Sequence, residues 1–183
     1  IALTTGLRLG EVLGLRWEDV DLAGRTIRVA QQLRRVPGEG LVFSEPKSRT
    51  SRRMVALTEI GVVALERQRE RAPQSELVFP NSVGKPWEPR AVTTAFDRLI
   101  RDSGLPRITF HGLRHSAATL LLHLHVPPKI VQEILGHTSI AITSDLYQGR
   151  AEPLHREAMD ALNGLLSRPP RPHLRVLENR QAS

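Results

Sequence analysis

The chain has 183 residues, 40% of them hydrophobic and only 4% aromatic, enough for one core built from aliphatic side chains. It contains no cysteine, which excludes disulfides, thiolate catalysis and cysteine-based zinc sites. The 26 Lys+Arg against 19 Asp+Glu leave a net charge of +7, a balance that points to a polyanionic partner, nucleic acid before anionic membrane.

No apolar run approaches the ~20 residues of a membrane span, and no signal peptide is visible. The chain opens on Ile1-Ala2-Leu3, without a start Met and already reading as helix interior, so a natural N-terminal part is expected to precede it. Residues 1–16 read as one helix with Leu3, Leu7, Leu9, Val12, Leu13 and Leu15 at apolar positions, weakened by Gly6 and Gly10. Arg8 stands between Leu7 and Leu9, a poor place for a merely solvated charge. It either snorkels to the surface or is held inward as an anion ligand, with Glu11 three residues on able to orient it.

Residues 17–21 lead into a turn at Ala23-Gly24. Three strand-like runs follow, 26–32, 41–44 and 53–57, joined by turns at Pro37-Gly38-Glu39-Gly40 and Lys47-Ser48-Arg49-Thr50-Ser51. They predict a small three-stranded antiparallel sheet near the N-terminus. Residues 34–53 carry Arg34, Arg35, Lys47, Arg49, Arg52 and Arg53 against Glu39 and Glu45. That is a basic hairpin suited to a nucleic-acid groove or backbone, although taken alone it reads equally as a solvated loop.

Thr58 is placed to cap a helix over 59–71, and a proline-rich loop then leads to a helix over 89–103, stopped by Gly104 and Pro106. Thr109 can cap the next helix, which carries His111-Gly-Leu-Arg114-His115 and runs to about Leu124. On that helix Arg114 and His115 lie three and four residues from His111, so a permanent cation is flanked by two groups able to donate hydrogen bonds or move protons. Such a set can hold a phosphate and act on it; a solvated helix start is the plainer alternative. Pro127-Pro128 open a helix over 128–135 that Gly136 ends. A short helix is expected from His137 through Tyr147, the one tyrosine in the chain. Residues 154–166 form an amphipathic helix with Leu154, Ala158, Ala161, Leu162 and Leu165 on one face. The last stretch, 168–183, has four arginines against Glu178 and is expected to be a mobile basic tail beyond a domain of 1–167. The fold class is α+β, mainly α-helical.

Set side by side, these pieces resemble the tyrosine recombinases, the phage integrase family. Thr5-Gly6-Leu7-Arg8-Leu9-Gly10-Glu11 with Leu15-Arg16-Trp17 resembles the family's first box. Lys47, in a hairpin before Arg52-Arg53, resembles its β-hairpin lysine. His111-Gly-Leu-Arg114-His115 matches the His-x-x-Arg box, Leu135-Gly136-His137 the third position, and Tyr147 the nucleophile. The parts stand in family order and cover nearly the whole chain. A histidine often follows the tyrosine in this family, whereas Gln148-Gly149 follow here.

The resemblance implies a site-specific DNA recombinase that cuts and rejoins DNA through a 3′-phosphotyrosyl link, without metal, ATP or other cofactor. Arg8, Lys47, His111, Arg114, His137 and Tyr147 would be catalytic, and Glu11 and His115 supporting. Arg8 and Arg114 would hold the non-bridging oxygens, where charge builds up. Lys47 would protonate the leaving 5′ oxygen, which arginine cannot do because it does not give up its proton; only three of the 26 basic residues are lysines, and one falls in this hairpin. His111 would take the Tyr147 proton or bind the phosphate, and His137 would donate to a phosphate oxygen. Arg34, Arg35, Arg49, Arg52 and Arg53 would bind DNA. The partner would be double-stranded DNA, engaged as a homotetramer by the full-length protein, with the 183-residue chain monomeric in solution and no membrane involved. The setting would be bacterial or phage-encoded, cytoplasmic and at the nucleoid. A type IB topoisomerase shares this apparatus. A non-catalytic DNA-binding module would be expected to have lost Arg8, Arg114 or Tyr147. A zinc enzyme built on His111 and His115 lacks the Glu of His-Glu-x-x-His, and Arg114 would repel the metal.

Overall fold

The computed structural model describes residues 1–46 and 52–136. The single helix expected over 1–16 is broken in two: α1 (Ala2–Thr5) and α2 (Leu9–Leu13). Gly6 between them is left-handed, with φ +64°. A Cβ there would stand 2.3 Å from Leu135 Cδ2, so close packing from far along the chain, as well as backbone conformation, reserves the position for glycine. Arg8 is extended and serves as the N-cap of α2, and the Glu11 carboxylate turns back to accept its backbone N–H at 2.9 Å. That break frees Arg8 from a helix face and aims it across the molecule.

A 3₁₀ turn at Trp17–Asp19 follows, then β1 (Val20–Asp21), β2 (Thr26–Val29), β3 (Gln32–Val36), β4 (Gly40–Ser44) and β5 (Arg53–Ala56). The three-stranded antiparallel sheet is present, but its order is β1-β2-β5, with Ile27 opposite both Val20 and Val55. β3 and β4 make a separate hairpin, Leu33 opposite Phe43, turning through left-handed Gly38. The run 26–32 is therefore cut after Val29, and the run 41–44 pairs backward with 32–36 instead of forward with 53–57. The cause is burial. Ile27, Val29 and Val55 point inward onto Leu65 and Val78 in one aliphatic core. Fully covering a side chain such as Ile27 or Leu65 is worth ~1.5–3 kcal/mol. The turn expected at 47–51 lies outside the described residues.

The helices match expectation closely, since their ends carry local signals. α3 (Glu59–Arg71) starts at Thr58, whose Oγ1 accepts from Gly61 N–H, and α4 (Pro89–Asp102) starts with proline at its first position. α5 (Phe110–His123) starts at Thr109, whose Oγ1 accepts from Gly112 N–H at 3.0 Å. α6 (Pro128–Leu135) ends at Gly136, left-handed at φ +65°. Ala118, Val131 and Leu135 are buried together where α5 meets α6. Among the described residues no helix is long and apolar enough to cross a membrane. The helix expected through Tyr147, the amphipathic helix 154–166 and the tail lie outside the described residues.

Candidate active site

The site is assembled around the end of α6. Its last carbonyls have no partner within the helix and carry the negative end of the helix dipole. Three arginines take three consecutive ones: Arg53 Nε donates to Ile134 O at 2.6 Å, Arg114 Nη2 to Leu135 O at 2.6 Å, and Arg8 Nη2 to Gly136 O at 3.0 Å. Arg114 reaches the other way to Gly6 O at 2.6 Å, so one guanidinium ties the loop between α1 and α2 to the end of α6.

Glu11, only 3% exposed, sits among these cations. Its Oε1 accepts from Arg8 Nη1 at 2.8 Å, and its two oxygens accept from the Arg53 fork at 3.1 Å each. Burial alone would push its carboxyl up, but Arg53 and then Arg8 outweigh that and hold it below the usual carboxylate range. One carboxylate against three guanidiniums leaves this group of four at +2, with Asp97 on the wall of the adjoining cleft as a further carboxylate.

Arg8 and Arg114 line a cleft of 290 Å³ together with His111, Leu7, Phe110, Thr93 and Asp97. Burial, followed by the charge of Arg8, brings the Arg114 guanidinium down to about 9, still charged at neutral pH. Partial burial, then repulsion from His115, Arg114 and Arg8, lowers His111 from 6.5. That favours the neutral form of His111, whose lone pair can accept a proton. Its ring meets that of His115 edge to face, with centroids 4.8 Å apart. A larger cleft of 680 Å³ lies beside Arg16, Arg28 and Arg52. There Arg16 pairs with Glu18 and shares the buried Asp19 with Arg28, and Arg52 pairs with Glu45, three arginines against three carboxylates. The smaller cleft is the one where two guanidiniums and an imidazole stand together, with one carboxylate, Asp97, on its wall.

The local pair Arg8 and Glu11 is thus brought together with the distant pair His111 and Arg114, with His115 at the edge. Lys47, Arg49, His137 and Tyr147 lie outside the described residues. Arg34, Arg35 and Arg52 are exposed as expected, engaged by Ser44, Glu88 and Glu45 respectively. Arg53 needs a correction. Its side chain is 7% exposed and locked onto Glu11 and Ile134 O, so it is not a surface cation offered to DNA. Strand alternation carries the signal for this, because Val55 and Leu57 face the core and Arg53 shares their phase.

The sequence profile described as the phage integrase family matches residues 1–163. A tyrosine recombinase XerC-like protein of Caldanaerobacter subterraneus subsp. tengcongensis is 29% identical over 90% of this chain and 48% of its own length. The ICEBs1 integrase of Bacillus subtilis is 31% identical over 91% of this chain and 48% of its own. Among solved structures, the Tn1549 transposon integrase in complex with circular intermediate DNA aligns with a TM-score of 0.79 at 29% identity, over 88% of this chain and 57% of that one. The chain spans about half the length of the curated relatives it matches. With the profile covering nearly nine-tenths of its residues, the chain belongs to the phage integrase family, the tyrosine recombinases.

Proposed function

We propose that this chain is the catalytic region of a site-specific DNA recombinase, which cleaves and rejoins strands of double-stranded DNA in a bacterial cytoplasm. The observation that carries the reading is the cleft in which Arg8, Arg114 and His111 converge. A scissile phosphate in that cleft would meet two guanidiniums at its non-bridging oxygens, where charge grows as the fifth oxygen bonds to phosphorus. The Tyr147 oxygen attacks phosphorus and gives its proton to His111. The bond to the 5′ oxygen breaks, and Lys47 protonates the departing oxygen. The resulting 3′-phosphotyrosyl ester keeps the energy of the broken bond, so attack by a 5′ hydroxyl from another strand reseals the DNA without ATP. His137 donates to a phosphate oxygen. The full-length protein works on DNA as a tetramer, and the 183-residue chain alone is monomeric and binds DNA weakly. The homologous Tn1549 integrase in complex with circular intermediate DNA supports DNA as the substrate.

The test is a pool of nicked duplexes of randomised sequence, incubated with the chain and resolved on a denaturing gel. A covalent protein–DNA band that Tyr147→Phe abolishes is expected. A band that persists in Tyr147→Phe removes Tyr147 from its role, and no band from the unmodified chain overturns the strand-transfer reading.

A further inference from the structure

Arg53 has no part in the chemistry proposed for the cleft, although this buried side chain is joined to both supports of Arg8. The first support is Glu11. Its two oxygens hold Arg8 through Nη1 at 2.8 Å and the backbone N–H at 2.9 Å, and the Arg53 fork holds the same two oxygens from β5. The second is the Gly136 turn, whose carbonyl takes Arg8 Nη2. Arg53 lies flush against that turn, because a Cβ on Gly136 would stand 2.8 Å from Arg53 Nη1 and 3.1 Å from its Cζ. Its Nε also fixes Ile134 O, two residues before that glycine. The side chain is too buried to touch a bound duplex.

We propose that Arg53 is a positioning residue: acting through the Glu11 carboxylate and the Gly136 turn, it locks Arg8 in the orientation that Arg8 presents to the cleft. The planar fork suits the task, since it engages both carboxylate oxygens at once and stops the carboxylate from turning. Among the described residues, the charged groups facing Glu11 are Arg8 on its own segment, Arg53 from β5 and Arg114 from α5; α6 contributes carbonyls. Arg53 leads the forces that keep Glu11 ionised against its burial. Without Arg53, Glu11 takes up a proton at higher pH and Arg8 loses its counter-charge along with its alignment. For its activity readout the proposal rests on the strand-transfer reading.

The experiment uses Arg53→Met and Arg53→Lys in the 183-residue chain and has two arms. The first needs no DNA: the Glu11 carboxyl and the Arg8 guanidinium are followed by NMR across a pH series. Arg53→Met should raise the Glu11 midpoint and average the Arg8 Nη signals. Arg53→Lys, a point charge without a fork, should restore much of the midpoint and little of the Arg8 order. The second arm measures the single-turnover rate of the covalent adduct on nicked duplexes of randomised sequence, at saturating DNA. Arg53→Met should slow it by ~10²-fold, the scale of a misplaced group, with DNA affinity nearly unchanged. Its acid limb should move to higher pH, and adding Glu11→Gln should remove that shift. A folded Arg53→Met with an unmoved Glu11 midpoint and an ordered Arg8 overturns the proposal, and so does a loss of affinity as large as the loss in rate. Should Arg53→Met not fold, Arg53→Lys carries the same readouts. If the unmodified chain forms no adduct, the strand-transfer reading fails and the first arm alone decides for or against Arg53.

Discussion

The corner where α6 ends and the β3–β4 hairpin use the same residue in opposite ways. In the corner, Arg8, Arg53 and Arg114 are struts that satisfy the carbonyls of Gly6, Ile134, Leu135 and Gly136 and the Glu11 carboxylate, so that four segments of chain are joined. On the hairpin, Arg34 and Arg35 stand in solvent, one against a serine across the ladder and the other against the exposed Glu88. Arginine alone says nothing about role. What differs is whether its N–H groups face buried acceptors, where breaking a bond strands a partner, or water, which replaces it at little cost.

The sharpest way to break this contrast is Arg114→Ala. It strands Gly6 O and Leu135 O, at about 1–3 kcal/mol for each buried acceptor. Cleavage should also fall by ~10²–10³-fold, the scale of one lost oxyanion donor. Urea midpoints and adduct time courses read the two losses separately, and an unchanged urea midpoint would contradict the strut role. Next is Glu11→Gln, which leaves Arg8 and Arg53 without their counter-charge at a cost of about 3 kcal/mol. Because the folded pKa of Glu11 lies below its reference of 4.5, its contribution is complete above that reference and is lost as pH falls through the lower folded value. The variant should accordingly lose stability less steeply in acid than the unmodified chain, and parallel acid limbs would count against it.

His111 gives a smaller effect. Its folded pKa is below 6.5, so between the two values the unfolded chain holds more protons and stability declines as pH drops below about 6.5. Denaturation at stepped pH should show this slope flattened in His111→Asn; an equal slope in both would mean that another group titrates there. Smallest are Arg34→Ala and Arg35→Ala. Each should move stability by less than ~0.5 kcal/mol and lower the salt slope of DNA binding by about 1, without changing cleavage of bound DNA. A stability loss as large as that of Arg114→Ala would erase the distinction between hairpin and corner.

What the sequence made legible follows the reach of the forces involved. Thr58, Thr109 and Gly136 act on backbone within a turn or two, and the ends of α3, α5 and α6 could be read from them. The His111–Arg114 face needed only helix periodicity. Gly6 was different: its left-handed turn is tied to Leu135 and Arg114, over a hundred residues away, so the first sixteen residues read as an unbroken helix. The division of 26–32 into β2 and β3 was hidden for the same reason, because β2 is defined by its partner β5. Arg53 was legible in principle. Its alternation with Val55 and Leu57 puts it inside, but counting it with Arg52 as part of a basic cluster concealed that.

The closing contacts of the corner also set an order of assembly. Arg8 to Gly136 spans 128 residues, Arg114 to Gly6 spans 108, and Arg53 to Ile134 spans 81. Contacts of such separation form late, after the intervening chain has been ordered. On a ribosome, at ~5–20 residues per second, Arg8 is made on the order of ten seconds before the carbonyl that will hold it. Until then the nascent chain carries these arginines without the carbonyls that fix their direction. Completion of α6 is thus the event that lets Arg8, Arg53 and Arg114 take up fixed orientations together. Nascent chains stalled before Pro128 should accordingly show Arg8 as mobile as in the unfolded protein.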